Sequence, residues 1–157
     1  QEHGYNTMED MEKKFSEITE LASSSRKELK AVEGRLRQIN EQIHYTGQYL
    51  ARKSLYSQFL KSKNKELFRQ GHSSDIALYE AAVKFLKEKS GGGKLPNLKT
   101  LKTEKEKLLA QKKEMQKKYD YYRDYQKELN TVRSNIHAAL GQQHSRQAHK
   151  QEREDIS

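Results

Sequence analysis

Apolar residues return every seven positions along two separate tracts of this chain. In the first, Met8, Phe15, Ala22, Leu29, Leu36, Ile43 and Leu50 hold one seam position, and Met11, Ile18, Ser25, Val32, Ile39 and Thr46 hold the other. In the second, Leu101, Leu108, Met115, Tyr122, Leu129 and Ile136 keep the same period, flanked by Leu98, Tyr119, Tyr125, Val132 and Leu140. A heptad repeat sustained this long gives a helix one narrow apolar stripe that must be buried against a partner. Two such tracts in one chain can partner each other. The sequence therefore predicts an all-α fold, a long antiparallel helical hairpin (a coiled coil) with a small helical head at the bend. A parallel homodimer that pairs like tracts is the rival geometry.

Composition fits long helices better than a thick globular core: 34% of the 157 residues are charged, 32% are hydrophobic, and proline occurs once. With no cysteine there is no disulfide framework, thiolate metal site or cysteine nucleophile, and a reducing, cytoplasmic setting is expected. No apolar run is long enough to span a bilayer, and no signal peptide opens the chain, so no membrane partner is expected. The chain begins at Gln1 rather than methionine, which points to a piece of a longer protein.

Local signals set the expected boundaries. A disordered lead-in over 1–7 gives way at Thr7-Met8-Glu9-Asp10, where a hydroxyl at the cap and early acids mark a helix start. That helix should run to the low fifties, with looser packing at Ser23-Ser24-Ser25. Beyond Gly47 the stripe broadens through Tyr45, Tyr49, Leu50, Leu55, Tyr56, Phe59 and Leu60. Leu67 and Phe68 then lie in a short segment that Gly71 should end. A helix from about Ser74 to Lys89, capped by Ser73 or Ser74, should lay Ile76, Tyr79, Val83 and Leu86 over that stripe, widened by Leu78, Ala82 and Phe85. Together these form the head, at about residues 51–97. Ser90 to Lys94 is a loop, and Pro96 precedes the last long helix, from Leu98 to Leu140. Gly141 should stop the helical region 8–141, leaving 142–157 as a disordered polar tail.

Charge is distributed unevenly. Residues 1–50 carry 7 Lys/Arg against 9 Asp/Glu, residues 51–123 carry 19 against 8, and residues 124–157 carry 5 of each. The excess thus falls on the head and the start of the returning helix. Such a field attracts polyanions. The candidate nucleic-acid contacts are Arg52, Lys53, Lys61, Lys63, Lys65, Arg69, Lys84, Lys87 and Lys94. The competing explanation is a lysine-rich surface that only keeps the helices soluble. Among Tyr119, Tyr121, Tyr122 and Tyr125, which sit among Lys117, Lys118 and Arg123, only Tyr121 falls off the repeating face, so it alone is a candidate to stack on an unpaired base.

Catalytic chemistry finds no footing. Gly91-Gly92-Gly93-Lys94 lacks the spacing of a phosphate loop and follows no strand. The six histidines, at 3, 44, 72, 137, 144 and 149, show no metal-ligand spacing, so neither a metal nor another cofactor is expected. No serine or carboxylate pair is placed for catalysis.

The wording of the chain carries a further indication. It runs from Val32-Glu33-Gly34-Arg35-Leu36 through Tyr49-Leu50-Ala51, Tyr56, Phe59-Leu60, Lys65-Glu66-Leu67-Phe68, His72 and Tyr79-Glu80-Ala81-Ala82. It continues through Lys94-Leu95-Pro96-Asn97-Leu98-Lys99-Thr100-Leu101 and Glu104-Lys105-Glu106-Lys107-Leu108 to Asn135-Ile136 and Leu140-Gly141. Over roughly residues 4–141 this resembles the C-terminal helical region of relaxases, the mobilisation nucleases of bacterial conjugative transposons and plasmids. The resemblance implies a parent protein that nicks one DNA strand with a tyrosine nucleophile and a metal held by three histidines. That catalytic domain would precede this region, and none of its motifs maps here, so this fragment is not expected to be an enzyme. The implied roles are gripping DNA beside the nick, holding relaxosome partners, or presenting the nuclease to secretion-coupling proteins. The alternative is a structural coiled-coil spacer or dimerisation module with no nucleic-acid contact.

Overall fold

The computed structural model describes residues 7–156, so the expected lead-in over residues 1–7 lies outside it except for Thr7. Among the described residues the fold is all-α, with four helices and no strand: α1 (Met8–Lys61), α2 (Lys65–Gly71), α3 (Ser73–Ser90) and α4 (Leu98–Ile156). The chain divides into two compact units, one of Gln1–Lys30 with Lys113–Ser157 and one of Ala31–Lys112.

The first unit pairs the start of α1 with α4. Thr7 caps α1 as expected, its hydroxyl accepting from the Asp10 amide at 3.0 Å. Ile18, Tyr125 and Leu129 form a buried cluster, with Phe15 and Tyr122 packed on it. Polar contacts flank this seam. Glu12 meets Arg133 at 3.3 Å, Thr19 accepts from Gln126 at 3.1 Å, and Glu28 meets Lys118 at 3.7 Å. Partner numbers fall along α4 as they rise along α1, so the two segments run antiparallel in this unit. Arg133 also lies over the Phe15 ring, 4.2 Å from its centroid.

Ser25 occupies a seam position and is 2% exposed, and its hydroxyl has no hydrogen-bond partner among the described residues. A buried hydroxyl left unpaired keeps its desolvation cost, and alanine is the better helix former. Ser25→Ala is therefore expected to stabilise the protein by about 1 kcal/mol in urea unfolding. A loss of stability would mean that the hydroxyl has a partner in solution.

In the second unit, Val32, Leu36 and Ile39 of α1 and Leu101 and Leu108 of α4 are buried, and Glu33 meets Lys112 at 3.7 Å. The far part of α1 carries the aromatic stripe, and α3 covers it. Tyr45 stacks on Phe85 with centroids 4.2 Å apart, and Tyr79 lies 5.4 Å from Tyr49 and 4.3 Å from Tyr56. Ile76, Ala82, Leu86 and Phe59 complete the buried set.

Several boundaries differ from the sequence reading. α1 runs to Lys61 rather than to the low fifties, because the aromatic face continues to Phe59 and α3 supplies its cover. His72, not a serine, joins the two short helices. Its amide donates to the Arg69 and Phe68 carbonyls to close α2, and α3 starts at Ser73 without a side-chain cap. With the helices abutting, no residue is left over for a serine cap. At the other end of α3, Gly91 adopts the left-handed conformation (φ 58°) and donates to the Lys87 carbonyl, an arrangement that glycine makes without steric cost.

The largest correction concerns Gly141. α4 passes through it to Ile156 instead of stopping, so residues 142–156 are helical rather than a disordered tail. A glycine inside a helix costs about 1 kcal/mol relative to alanine. The residues that follow, including Gln142, Gln143, Arg146, Gln147, Ala148 and Lys150, are mostly good helix formers, and no proline interrupts them. Residues 141–153 are all exposed, so propensity rather than packing carries this segment.

Candidate nucleic-acid interface

The basic candidates divide into two physical classes. Arg52 and Arg69 are committed inside the second unit. Arg52 donates from Nε to the Asp75 carboxylate at 3.0 Å and from Nη1 to the Gln48 side chain. This ties α1 to the first turn of α3. Arg69 reaches Glu80 with both terminal nitrogens, at 3.2 and 3.4 Å, and sits 4.9 Å from the Phe59 ring centroid. The Tyr56 hydroxyl donates to the same carboxylate at 3.4 Å. One acid thereby joins α1, α2 and α3.

The hydrogen bond from Arg69 holds the Glu80 carboxyl below the ordinary carboxylate range, and the same bond raises Arg69. A depressed carboxyl contributes stability that is present above its unfolded pKa and is lost as pH falls through its folded value. Glu80→Gln is expected to remove that contribution and loosen α2. At fixed neutral pH, amide exchange should then speed up over Leu67–Gly71 while Ile76–Leu86 stays protected. Equal acceleration in both segments, or none, would show that the Glu80 bridge does not hold α2.

The lysines form the second class. Lys61 ends α1, Lys63 lies in the corner between α1 and α2, and Lys65 opens α2. All three are exposed and have no ion-pair partner among the described residues. Their corner is fixed locally. The Ser62 hydroxyl donates to the Asn64 carbonyl at 3.2 Å, and the Asn64 side chain caps α2 by accepting from the Leu67 amide at 3.1 Å. Lys84 and Lys87 stand on α3 and Lys94 in the following loop, all exposed and likewise unpaired among the described residues. Lys53 lies 5.7 Å from the Tyr49 ring centroid.

Tyr121 is 59% exposed, as its off-face position predicts, with Tyr122 and Tyr125 edge-on at 5.4 and 6.0 Å. It belongs to the other unit from the lysines. Its neighbour Tyr119 underlies Arg123, 5.7 Å from the ring centroid.

Two residues that position this region escaped the sequence reading. Asn64 caps α2, and Asn97 caps α4 by accepting from the Thr100 amide at 2.8 Å. Both stand one residue before the helix, where asparagine is a standard start signal. Among the described residues, no group of three His, Asp or Glu side chains could hold a metal ion, and no helix is long and apolar enough to cross a membrane. No protein-family model, curated protein or solved structure matches the chain.

Proposed function

We propose that this chain is a noncatalytic helical module that binds DNA with little sequence preference. Lys61, Lys63 and Lys65 form the centre of contact, and Lys53, Lys84, Lys87 and Lys94 contribute further charge from the same unit. The observation that carries this reading is the separation of the two cation classes. The two candidate arginines, Arg52 and Arg69, are tied to Asp75 and Glu80, whereas the seven candidate lysines stand exposed without carboxylate partners among the described residues. Lysine acts as a hydrated point charge, suited to phosphates rather than to base edges.

The setting this reading suits is the helical region of a cytoplasmic relaxase in conjugative DNA transfer, as the resemblance in wording implies. There the module would hold DNA near the nick, or hold a relaxosome or secretion-coupling protein. The spacer reading draws on Lys112–Glu33 and Lys118–Glu28, where lysines of α4 serve pairing with α1 instead of a ligand. Titrating duplexes of unrelated sequence discriminates the two. Under the DNA reading, all bind alike at low salt, with Kd of about 10⁻⁴ to 10⁻⁶ M at physiological ionic strength. Absence of binding at low salt would favour the spacer.

A further inference from the structure

We propose that the groove between α1, α3 and the loop ahead of α4 is a docking site for an acidic amphipathic helix of a partner protein. The groove continues a helix seam that runs out of partner. In the second unit, α1 buries Val32, Leu36 and Ile39, and Glu33–Lys112 ties that part of α1 to α4. Two heptads beyond Leu36, Leu50 holds the same seam position yet is 51% exposed, because α4 begins only at Leu98. The space left beside it is a hollow of about 520 Å³, lined chiefly by Leu50, Val83, Leu86, Leu95, Pro96 and Leu98. A helix presenting apolar side chains three and four residues apart would extend the seam as α4 does lower down.

Charge selects the acidic partner. Lys87 is the one ionisable cation in the lining, no carboxylate lines the groove, and Lys94 lies in sequence between the lining residues Gly93 and Leu95. Two of the other polar side chains in the lining are occupied: the Ser90 hydroxyl accepts from the Gly92 amide at 3.3 Å and donates to the Lys87 carbonyl at 3.2 Å, and Asn97 caps α4. The aromatic walls disfavour a nucleobase. Tyr79 is stacked between Tyr49 and Tyr56 with interplanar angles of 22° and 20°, and Lys53 lies over the Tyr49 ring. Ring faces are thus already covered, and the groove offers aliphatic contact.

The probe is a fluorescent two-heptad peptide with leucines at helical spacing, glutamates at the positions flanking the leucine stripe and alanines elsewhere. It is compared with a scrambled version and with a version carrying lysine for glutamate. Binding of the leucine–glutamate peptide should saturate and weaken about tenfold in Leu50→Gln and in Lys87→Glu. It should be unchanged when Lys61, Lys63 and Lys65 are all glutamine, which separates this site from the DNA contact. Leu50 is half exposed, so Leu50→Gln should keep its helix content by circular dichroism. The proposal is overturned if the peptide does not saturate, if the scrambled or lysine version binds equally, or if Leu50→Gln has no effect. It is also overturned if a single-stranded oligonucleotide, and not the peptide, shows the Leu50-dependent binding.

Discussion

Leu129→Asp is expected to unfold the unit that pairs the start of α1 with α4. Leu129 is 1% exposed and packs with Ile18 and Tyr125. Truncating such a leucine to alanine alone costs about 2–5 kcal/mol, and aspartate adds a buried charge with no partner. A domain's whole stability is about 5–15 kcal/mol, so the substitution consumes a large share of it. Amide protection around Met11 to Leu29 should collapse together with that of Tyr125 to Val132. Leu109→Asp is the control. Leu109 is 47% exposed, and its change should stay within about 0.5 kcal/mol. Retained protection in the Leu129 variant would mean that the seam is not what holds these segments.

The seam was legible because burial follows the period so closely. Met11, Ile18, Ala22, Ser25, Leu29, Val32, Leu36 and Ile39 all fall on the two heptad positions and are all buried. Ser25 was legible as a seam residue as well, although its unpaired hydroxyl was not. The pattern faded where a third helix joins. Leu50 and Leu60 belong to the broad stripe but are more than half exposed, since α3 covers the tyrosine side of α1 and leaves theirs open.

The commitments of Arg52 and Arg69 were not legible. Their carboxylate partners lie 23 and 11 residues away on another helix, beyond any spacing rule within one helix. The lysines at 61, 63 and 65 were legible as a local cluster, and the structure adds that none has a carboxylate partner among the described residues. The extension of α4 past Gly141 shows a glycine overridden by the propensity of its neighbours, which a rule for single stop residues does not weigh.

The second large effect is on DNA affinity, from replacing Lys61, Lys63 and Lys65 together with glutamine. All three are exposed at a corner held by backbone and Asn64 contacts, so helix content should not change. Each lysine that neutralises a phosphate releases condensed counterion and adds about 0.9 to the dependence of log affinity on log salt. Losing three contacts should lower that slope by about 2 to 3 and weaken binding to every duplex alike. Arg26 and Lys27, in the other unit, serve as the reference pair, and their replacement should leave the slope in place. The direct test is therefore one titration series. A single duplex is bound by the unaltered protein, the triple variant and the reference variant at low and at physiological salt. The account predicts a flattened slope and lower affinity in the triple variant alone. Equal slopes in all three proteins would contradict it.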